Sequence, residues 1–450
     1  MMDNMGLVDT VVSDWKTKNI PEFIPRDQAI DFEELRGMIL TVSGPRRAGK
    51  TYFLYQLIAD LRDRIGIDRE NIFYVNLEDD RLHPYRTTDL DALIARYQEM
   101  FDINRDQDIY LFLDEIQNID RWSAWVRRVH DLRPDIRIII SGSSSKLLST
   151  EIATNLRGRT FNVTILPVSY REFLRYRGIE PFFGSSPGTP SAFPSTVQKI
   201  ERKKAFNEYL ELGGFPQITF GNAGEATRRQ TLQEYFEVML LRDVIERYQV
   251  RNPILLRTLA RVLVNTVAKE FSFTKTRNTL RSMGIQTSTQ TIIEYVQYFE
   301  DAFVFFTNPE YHASFRNQLA FIKKVYCIDL GLANALAYRS SEDRGWHLEN
   351  LVYIELLRRK KAIFYHRNTS ECDFVIQEGL SIVELIQVCA DMTDPDTRKR
   401  EIKGLVKAMN RFELTEGLIL TEDEYDDVEM NGKTIHVRPV WYWLQDVPAD

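Results

Sequence analysis

The chain has 450 residues, 44% of them hydrophobic and 27% charged, with a formal net charge of -7 at pH 7. That length supports two or three folded cores, and the acidic balance argues against a chain that coats nucleic acid by bulk electrostatics, though a locally basic face fits it. No apolar run approaches a membrane-spanning helix, the N-terminus lacks the basic start and apolar stretch of a signal peptide, and Cys327, Cys372 and Cys389 are too few and too scattered for a disulfide framework or a zinc site, so a cytoplasmic protein with no membrane partner is expected.

In chain order, five short, continuous apolar runs at 38–43, 72–77, 109–113, 136–140 and 161–166 alternate with helical patterns. Such runs suit strands covered by helices on both faces, hence an α/β fold with a parallel five-stranded sheet. Residues 178–198 are rich in Gly, Pro and Ser and read as a loop. Helical periodicity follows at 199–212, 228–248 and 254–268. A helix over 274–283, a turn at Gly284-Ile285 and a polar start at Thr287, Ser288 and Thr289 resemble a helix-turn-helix. The second helix ends near Glu300, and the run 302–306 falls where a winged helix places a strand. The last part is α/β again, with a helix at 348–360, strands at 363–366, 372–376 and 382–389, a helix at 396–408 and a strand at 417–420.

Gly44-Pro45-Arg46-Arg47-Ala48-Gly49-Lys50-Thr51 has the spacing of a phosphate-binding loop and lies between a strand and a helix. Glycines there let successive backbone N–H groups point at phosphate oxygens, and the helix start adds its positive end. Lys50 is expected to reach the β- and γ-phosphates of ATP, and Thr51 to ligate Mg²⁺. The strand at 109–113 runs into Asp114-Glu115: the first carboxylate suits the Mg²⁺ shell, the second a base that polarises the attacking water. The strand at 136–140 ends in Ser141-Gly142-Ser143. Ser141, with Ser143 next, is a candidate to face the γ-phosphate, against the plain alternative of a Gly/Ser turn opening a helix at Lys146. Arg157 and Arg159 precede the fifth strand. One of the two suits an arginine finger that reaches a neighbouring subunit's γ-phosphate and makes hydrolysis depend on a homo-oligomer. The alternative is a helix end with dipole-compensating arginines.

GPRRAGKT, YVNLEDDRL, FLDEIQN, SGSSSKLL and LRGRT followed by LPVSYREFL, together with Gly213-Gly214-Phe215-Pro216, Leu241-Arg242-Asp243 and Gly331-Leu332, resemble one family. It is the prokaryotic, largely archaeal, AAA-type P-loop ATPases with a C-terminal domain of unknown function, near the signal-transduction ATPases with numerous domains. The resemblance implies a sheet order of 5-1-4-3-2. It also implies an ATPase core (1–177), a helical lid (199–265) in which Arg242 senses the nucleotide, a winged helix (266–340) and a restriction-endonuclease-like α/β domain (345–450).

Nucleases of that fold hold a divalent metal with a helix Glu, a strand Asp and a Glu-x-Lys on the next strand. Here Glu349 and Asp373 fill the first two places, but Gln387-Val388-Cys389 stands at the third. A Gln carbonyl is a weaker ligand than a carboxylate, and Cys cannot replace an ammonium. Glu371 and Glu384 fall on the wrong faces, so a binding or docking module is expected rather than a nuclease.

For the helix-turn-helix, Thr287, Ser288, Gln290 and Thr291 face a groove and Lys269, Lys275, Arg277 and Arg281 meet phosphates if it reads DNA. Those four basic residues stand against Glu270, Glu294 and Glu300, a weak excess for a DNA reader. Tyr295, Tyr298, Phe299 and Phe303 are spaced as a packing stripe. Three functions are weighed: ATP hydrolysis coupled to binding or remodelling DNA, including branched DNA; a nucleotide-dependent switch that binds a protein partner; and, disfavoured by Gln387 and Cys389, a nuclease gated by ATP.

Overall fold

The five apolar runs of the first half become β1 (Ile39–Ser43), β2 (Ile72–Asn76), β3 (Ile109–Asp114), β4 (Ile136–Gly142) and β5 (Thr160–Thr164). The computed structural model of the chain describes residues 2–82, 86–143, 156, 158–181, 195–312, 322–337, 344–367 and 371–446. Arg157, the expected helix start at Lys146 and residues 182–194 of the Gly/Pro/Ser-rich loop lie outside the described residues. The chain divides into two compact units, Met1–Leu166 and Pro167–Asp450.

In the first unit every strand pairing is parallel, in the order β2-β3-β4-β1-β5. Read from the other edge this is 5-1-4-3-2. The inner strands β1, β3 and β4 are buried almost throughout, which is why their sequences show no polar alternation. Among the described residues its α-helices are α1 (Met2–Thr17), α2 (Lys50–Ala59), α3 (Thr87–Met100) and α4 (Trp122–Leu132). Helix α1 has no counterpart among the elements expected from the sequence. It buries Val8, Val11, Val12 and Trp15, and the Trp15 indole donates to the Ile72 carbonyl at 2.6 Å. In this strand order the carboxyl ends of β1, β3 and β4 lie side by side, where parallel sheets hold their ligands.

The second unit opens with helices at Tyr170–Tyr176 and Thr196–Leu212, joined through Tyr170, Phe173, Phe206 and Tyr209. That packing groups 170–176 with the chain that follows, whereas the sequence suggests a boundary at 177. Helices Phe273–Ser282 and Thr289–Asp301 flank a three-stranded antiparallel sheet of β6 (Glu270–Ser272), β7 (Phe305–Pro309) and β8 (Ile322–Cys327), in the order β6-β8-β7. Tyr295, Phe299 and Phe303 are buried, and Tyr298 stacks on Tyr248 with ring centroids 3.9 Å apart. These aromatics are packing, as their spacing suggests.

The last sheet has six strands: β9 (Ala362–Arg367), β10 (Glu371–Glu378), β11 (Ser381–Val388), β12 (Glu416–Thr421), β13 (Asp426–Met430) and β14 (Lys433–Pro439), in the order β13-β14-β12-β11-β10-β9. The hairpin β13–β14 was not foreseen. Its turn is Asn431-Gly432, both at positive φ (55° and 71°), the conformation a tight hairpin requires.

Two glycine motifs of this unit meet at one carboxylate. Asp329 caps the helix Leu330–Leu336 by accepting the Leu332 N–H at 2.8 Å, and it also accepts the Gly214 N–H at 2.5 Å. A Cβ on Gly213 would stand 2.4 Å from the Asp329 carboxylate, and one on Gly331 2.2 Å from the Leu212 carbonyl oxygen. Only glycine fits either place. Burial pushes the Asp329 carboxyl up to about 6 despite these backbone donors. A carboxyl raised above its unfolded value stabilises the fold below about pH 4, and that stability is lost as pH rises through about 6. Between pH 4 and pH 7 the wild type is therefore expected to lose up to about 3 kcal/mol relative to Asp329→Asn. Urea unfolding of both proteins at the two pH values checks this; parallel behaviour would refute it.

Candidate nucleotide-binding site

The loop between β1 and α2 is shaped by its glycines. Gly44 has φ 146° and passes so close to Ile165 that a Cβ would lie 2.1 Å from that carbonyl oxygen. Gly49 has φ 96° and starts α2, whose first two residues are Lys50 and Thr51. Arg47 between them is also at positive φ, 66°. Alternating backbone conformations of this kind turn successive N–H groups into one concavity, and the helix start adds its dipole.

Asp114 ends β3 and is fully buried. It accepts the Thr51 hydroxyl at 2.7 Å and the Tyr74 hydroxyl at 2.8 Å on Oδ2, and the Ser141 hydroxyl on Oδ1. Ser141 in turn accepts the Glu115 backbone N–H at 3.0 Å. Burial, with the neighbouring Glu115 charge, raises the Asp114 carboxyl, while the three hydroxyl donors oppose the shift. Glu115 sits at φ 56°, left-handed for a non-glycine residue, a local strain of the kind found at functional sites. Its Oε1 lies 3.5 Å from Lys50 Nζ and its Oε2 accepts the Gln117 amide. Burial works to raise Glu115, but the Lys50 charge, the Gln117 bond and the Arg46 charge outweigh it and hold the carboxylate below its ordinary range. Lys50 is 4% exposed and also donates to the Pro45 carbonyl at 3.2 Å.

Lys50, Thr51, Asp114, Glu115 and Ser141 thus form one connected group at the carboxyl ends of β1, β3 and β4. Ser143 is buried just beyond β4. Arg46, in the loop, pairs with Glu78 at 3.3 Å. Arg159 is partly exposed and its guanidinium meets Asp131, on α4 of the same unit, at 2.8 Å.

Three further residues, to which the sequence assigns no role, support the site. Arg26 donates to the Ala48 carbonyl at 2.9 Å and to the Leu166 carbonyl at 2.5 Å, while its backbone N–H meets the Gln56 side chain at 2.8 Å, bracing the loop from behind. Tyr74 and Gln117 hold the two carboxylates. Arg26 stands in none of the quoted motifs, whereas Tyr74 opens YVNLEDDRL and Gln117 stands in FLDEIQN, without a role that the sequence assigns to either. Thr51 and Asp114, 2.7 Å apart and anchored on two elements, offer the hydroxyl-plus-carboxylate pair that suits Mg²⁺.

In the second unit the residues weighed as a nuclease metal site come together around a cation that the chain itself supplies. Lys324 of β8 is 3% exposed. Its Nζ donates to Asp373 Oδ1 at 2.8 Å and to Glu349 Oε1 at 3.0 Å, and lies 3.1 Å from Glu371 Oε1. Glu371, expected on the wrong face, therefore reaches the same lysine as Asp373, two residues along β10. The Tyr326 hydroxyl also donates to Glu349, at 2.8 Å. Asp373 Oδ2 accepts the Val388 N–H at 3.0 Å, and the Gln387 amide is committed to the Asp373 N–H and to Glu401. Burial works against the Lys324 charge, but Asp373 and Glu349 hold it protonated well above the ordinary lysine range. These residues do not fit a divalent metal, since an ammonium already fills the place between the carboxylates. Among the described residues no group of three or more His, Cys, Asp or Glu side chains is arranged to hold a metal ion.

The family model described as an AAA domain matches residues 36–174, and one described as a domain of unknown function (DUF8612) matches residues 203–343. An uncharacterized protein of Methanocaldococcus jannaschii is 34% identical over 455 residues, covering 98% of this chain and 96% of that protein. An uncharacterized protein of Haemophilus influenzae is 29% identical over 421 residues, covering 93% and 96%. Among solved structures, a Walker-type ATPase of Pyrococcus abyssi aligns with 71% of this chain and 99% of its own, at 14% identity and a TM-score of 0.44. Cdc6p from Pyrobaculum aerophilum aligns with 66% and 91%, at 13% identity and a TM-score of 0.27. No helix among the described residues is long and apolar enough to cross a membrane. The chain belongs to the family of the Methanocaldococcus jannaschii protein, and its first unit has the AAA-type P-loop ATPase fold that the family model and the sheet order indicate.

Proposed function

We propose that the protein hydrolyses Mg²⁺-ATP and couples turnover to holding or remodelling DNA. The hydrolytic half rests on the connected group Lys50–Thr51–Asp114–Glu115. Lys50 leaves Glu115 for the β- and γ-phosphates, and Glu115, freed, accepts a proton from the attacking water. Thr51 and Asp114 would hold Mg²⁺, which when bound offsets charge on the phosphate oxygens. Ser141, tied to Asp114 and to the Glu115 backbone, keeps the two carboxylates in register. Arg157 or Arg159 would act as a finger across a subunit interface of a homo-oligomer, and the exposed Arg159–Asp131 pair is weak enough to be exchanged for a phosphate.

The DNA half rests on the helix-turn-helix. Among the described residues Lys269, Lys275, Arg277 and Arg281 make no ion pair, while cations over much of the chain do. A second reading, a nucleotide-dependent switch that binds a protein, is favoured by the Lys50–Glu115 contact at 3.5 Å, which ties up the base until ATP draws the lysine away. ATP turnover at rising protein concentration, with and without linear and four-way-junction DNA, separates the two. Stimulation by DNA, reduced by Lys275→Ala/Arg277→Ala/Arg281→Ala, is expected. A slow rate indifferent to DNA and to protein concentration would sink the DNA reading and leave the switch.

A further inference from the structure

The helix Pro395–Arg411 carries Lys399, Lys403, Lys407 and Arg411 at a constant interval of four residues. All four are exposed. Its opposite side is committed: Ile402, Leu405, Val406 and Met409 are buried in a cluster that includes Val375, Leu385 and Ile419 of the six-stranded sheet. The four cations therefore follow one i, i+4 ridge on the solvent side, about 18 Å from end to end at 1.5 Å per residue.

An ordinary solvated helix face sets acids against bases at this interval. Like charges four apart repel and weaken the helix. Here three such pairs stand in succession. Among the described residues none of the four makes an ion pair, although the other two cations of the same helix do: Arg398 with Glu424 and Asp426, and Arg400 with Glu401. Attraction to the negative end of the helix dipole accounts for Lys407 and Arg411 in the last turns, but not for Lys399 and Lys403, which lie nearer the other end.

We infer that this ridge is a docking surface for the phosphate backbone of a nucleic acid strand. Resting on the DNA reading above, it names a second place on the chain where the strand is held. Phosphates of one strand recur every 3.4 Å along a duplex axis but wind around it, so a straight ~18 Å row of cations faces about three or four of them. Lysines on long, flexible stems contact such a backbone as point charges, without reading sequence. A lipid surface fits less well. A helix that binds in a bilayer interface needs an apolar face for the acyl boundary, and this helix has spent that face on its own sheet.

The test uses the full chain with Lys399→Ala/Lys403→Ala/Lys407→Ala/Arg411→Ala, all exposed positions, its fold checked by circular dichroism. Beside it stands the helix-turn-helix variant Lys275→Ala/Arg277→Ala/Arg281→Ala. Binding of a labelled random-sequence duplex is followed by anisotropy over a salt series. The ridge variant is expected to bind at least tenfold more weakly at about 100 mM salt and to lose about 3 from the slope of log affinity against log salt, near 0.9 per phosphate contact. Loss in the helix-turn-helix variant alone, with the ridge variant like wild type, overturns the inference and leaves the DNA reading standing. Loss in the ridge variant alone keeps the inference and removes the helix-turn-helix. No binding of duplex by wild type overturns both, as does ridge-dependent binding of phosphatidylserine vesicles or of an acidic polypeptide in place of DNA.

Discussion

Glu115→Gln is expected to lower ATP turnover about 100- to 1,000-fold while leaving ATP affinity unchanged or slightly tighter. The side chain keeps its length and its bond to Gln117, so the left-handed turn at φ 56° and the Ser141 link to the Glu115 backbone should persist. What disappears is the basic oxygen. Glu115 is nearly buried, yet the Lys50 charge 3.5 Å away, with Gln117 and Arg46, keeps it ionised. A carboxylate held ionised chiefly by a lysine becomes a stronger base once that lysine turns to phosphate, and the amide cannot follow. Affinity should not fall, because Lys50 no longer leaves a charged partner to reach the nucleotide. Turnover and nucleotide binding measured on the same preparation decide it. Turnover within tenfold of wild type would remove Glu115 from the chemistry, and lost binding would make it a structural residue of the loop.

The distribution of legible and illegible features follows from what makes each one local. Gly44–Thr51 could be read because its spacing encodes a backbone shape, and Asp114-Glu115 because a strand that ends in carboxylates has few other uses beside such a loop. The parallel strands were legible as continuous apolar runs, since both faces are covered. Arg26 and Tyr74 were not, because each acts across the fold: Arg26 on carbonyls of Ala48 and Leu166, Tyr74 on a carboxylate of the next strand. The hairpin at Asn431-Gly432 carries a strong local signal, but β13 is exposed and acidic and lacks the apolar alternation of a half-buried strand. The ridge from Lys399 to Arg411 also stood in the sequence at a fixed interval. Its meaning depended on which side of the helix the sheet would bury. The role of Lys324 was invisible for a deeper reason: β8 reads as a basic, unremarkable run, and its partners lie on a helix and a strand of a different sheet.

Lys324→Met is expected to destabilise the second unit by about 3–5 kcal/mol, the cost of leaving buried charge without its partner. Methionine fills much the same volume, so packing beside Tyr365, whose ring lies 5.8 Å from the ammonium, changes little. The loss is electrostatic. Asp373 is 5% exposed and Glu349 is also mostly buried, and the lysine is what reconciles their two charges at 2.8 and 3.0 Å. The sign of the pH dependence separates this from a simple packing defect. In wild type the ammonium is held protonated well above the ordinary lysine range, so its contribution is intact across neutral pH and lost only in strong alkali. Burial and the Asp373 charge already push the Glu349 carboxyl up to about 7 in wild type; without the lysine Glu349 takes up a proton more readily still, so the deficit should shrink as pH falls from about 8 to about 5. Adding Glu349→Gln and Asp373→Asn to Lys324→Met should recover much of the loss at pH 8, since a neutral cluster no longer needs a cation. Denaturant unfolding of the three proteins at both pH values is the measurement. A deficit that is constant with pH, and is not relieved by neutralising the acids, would mean that Lys324 supports the fold through its stem alone.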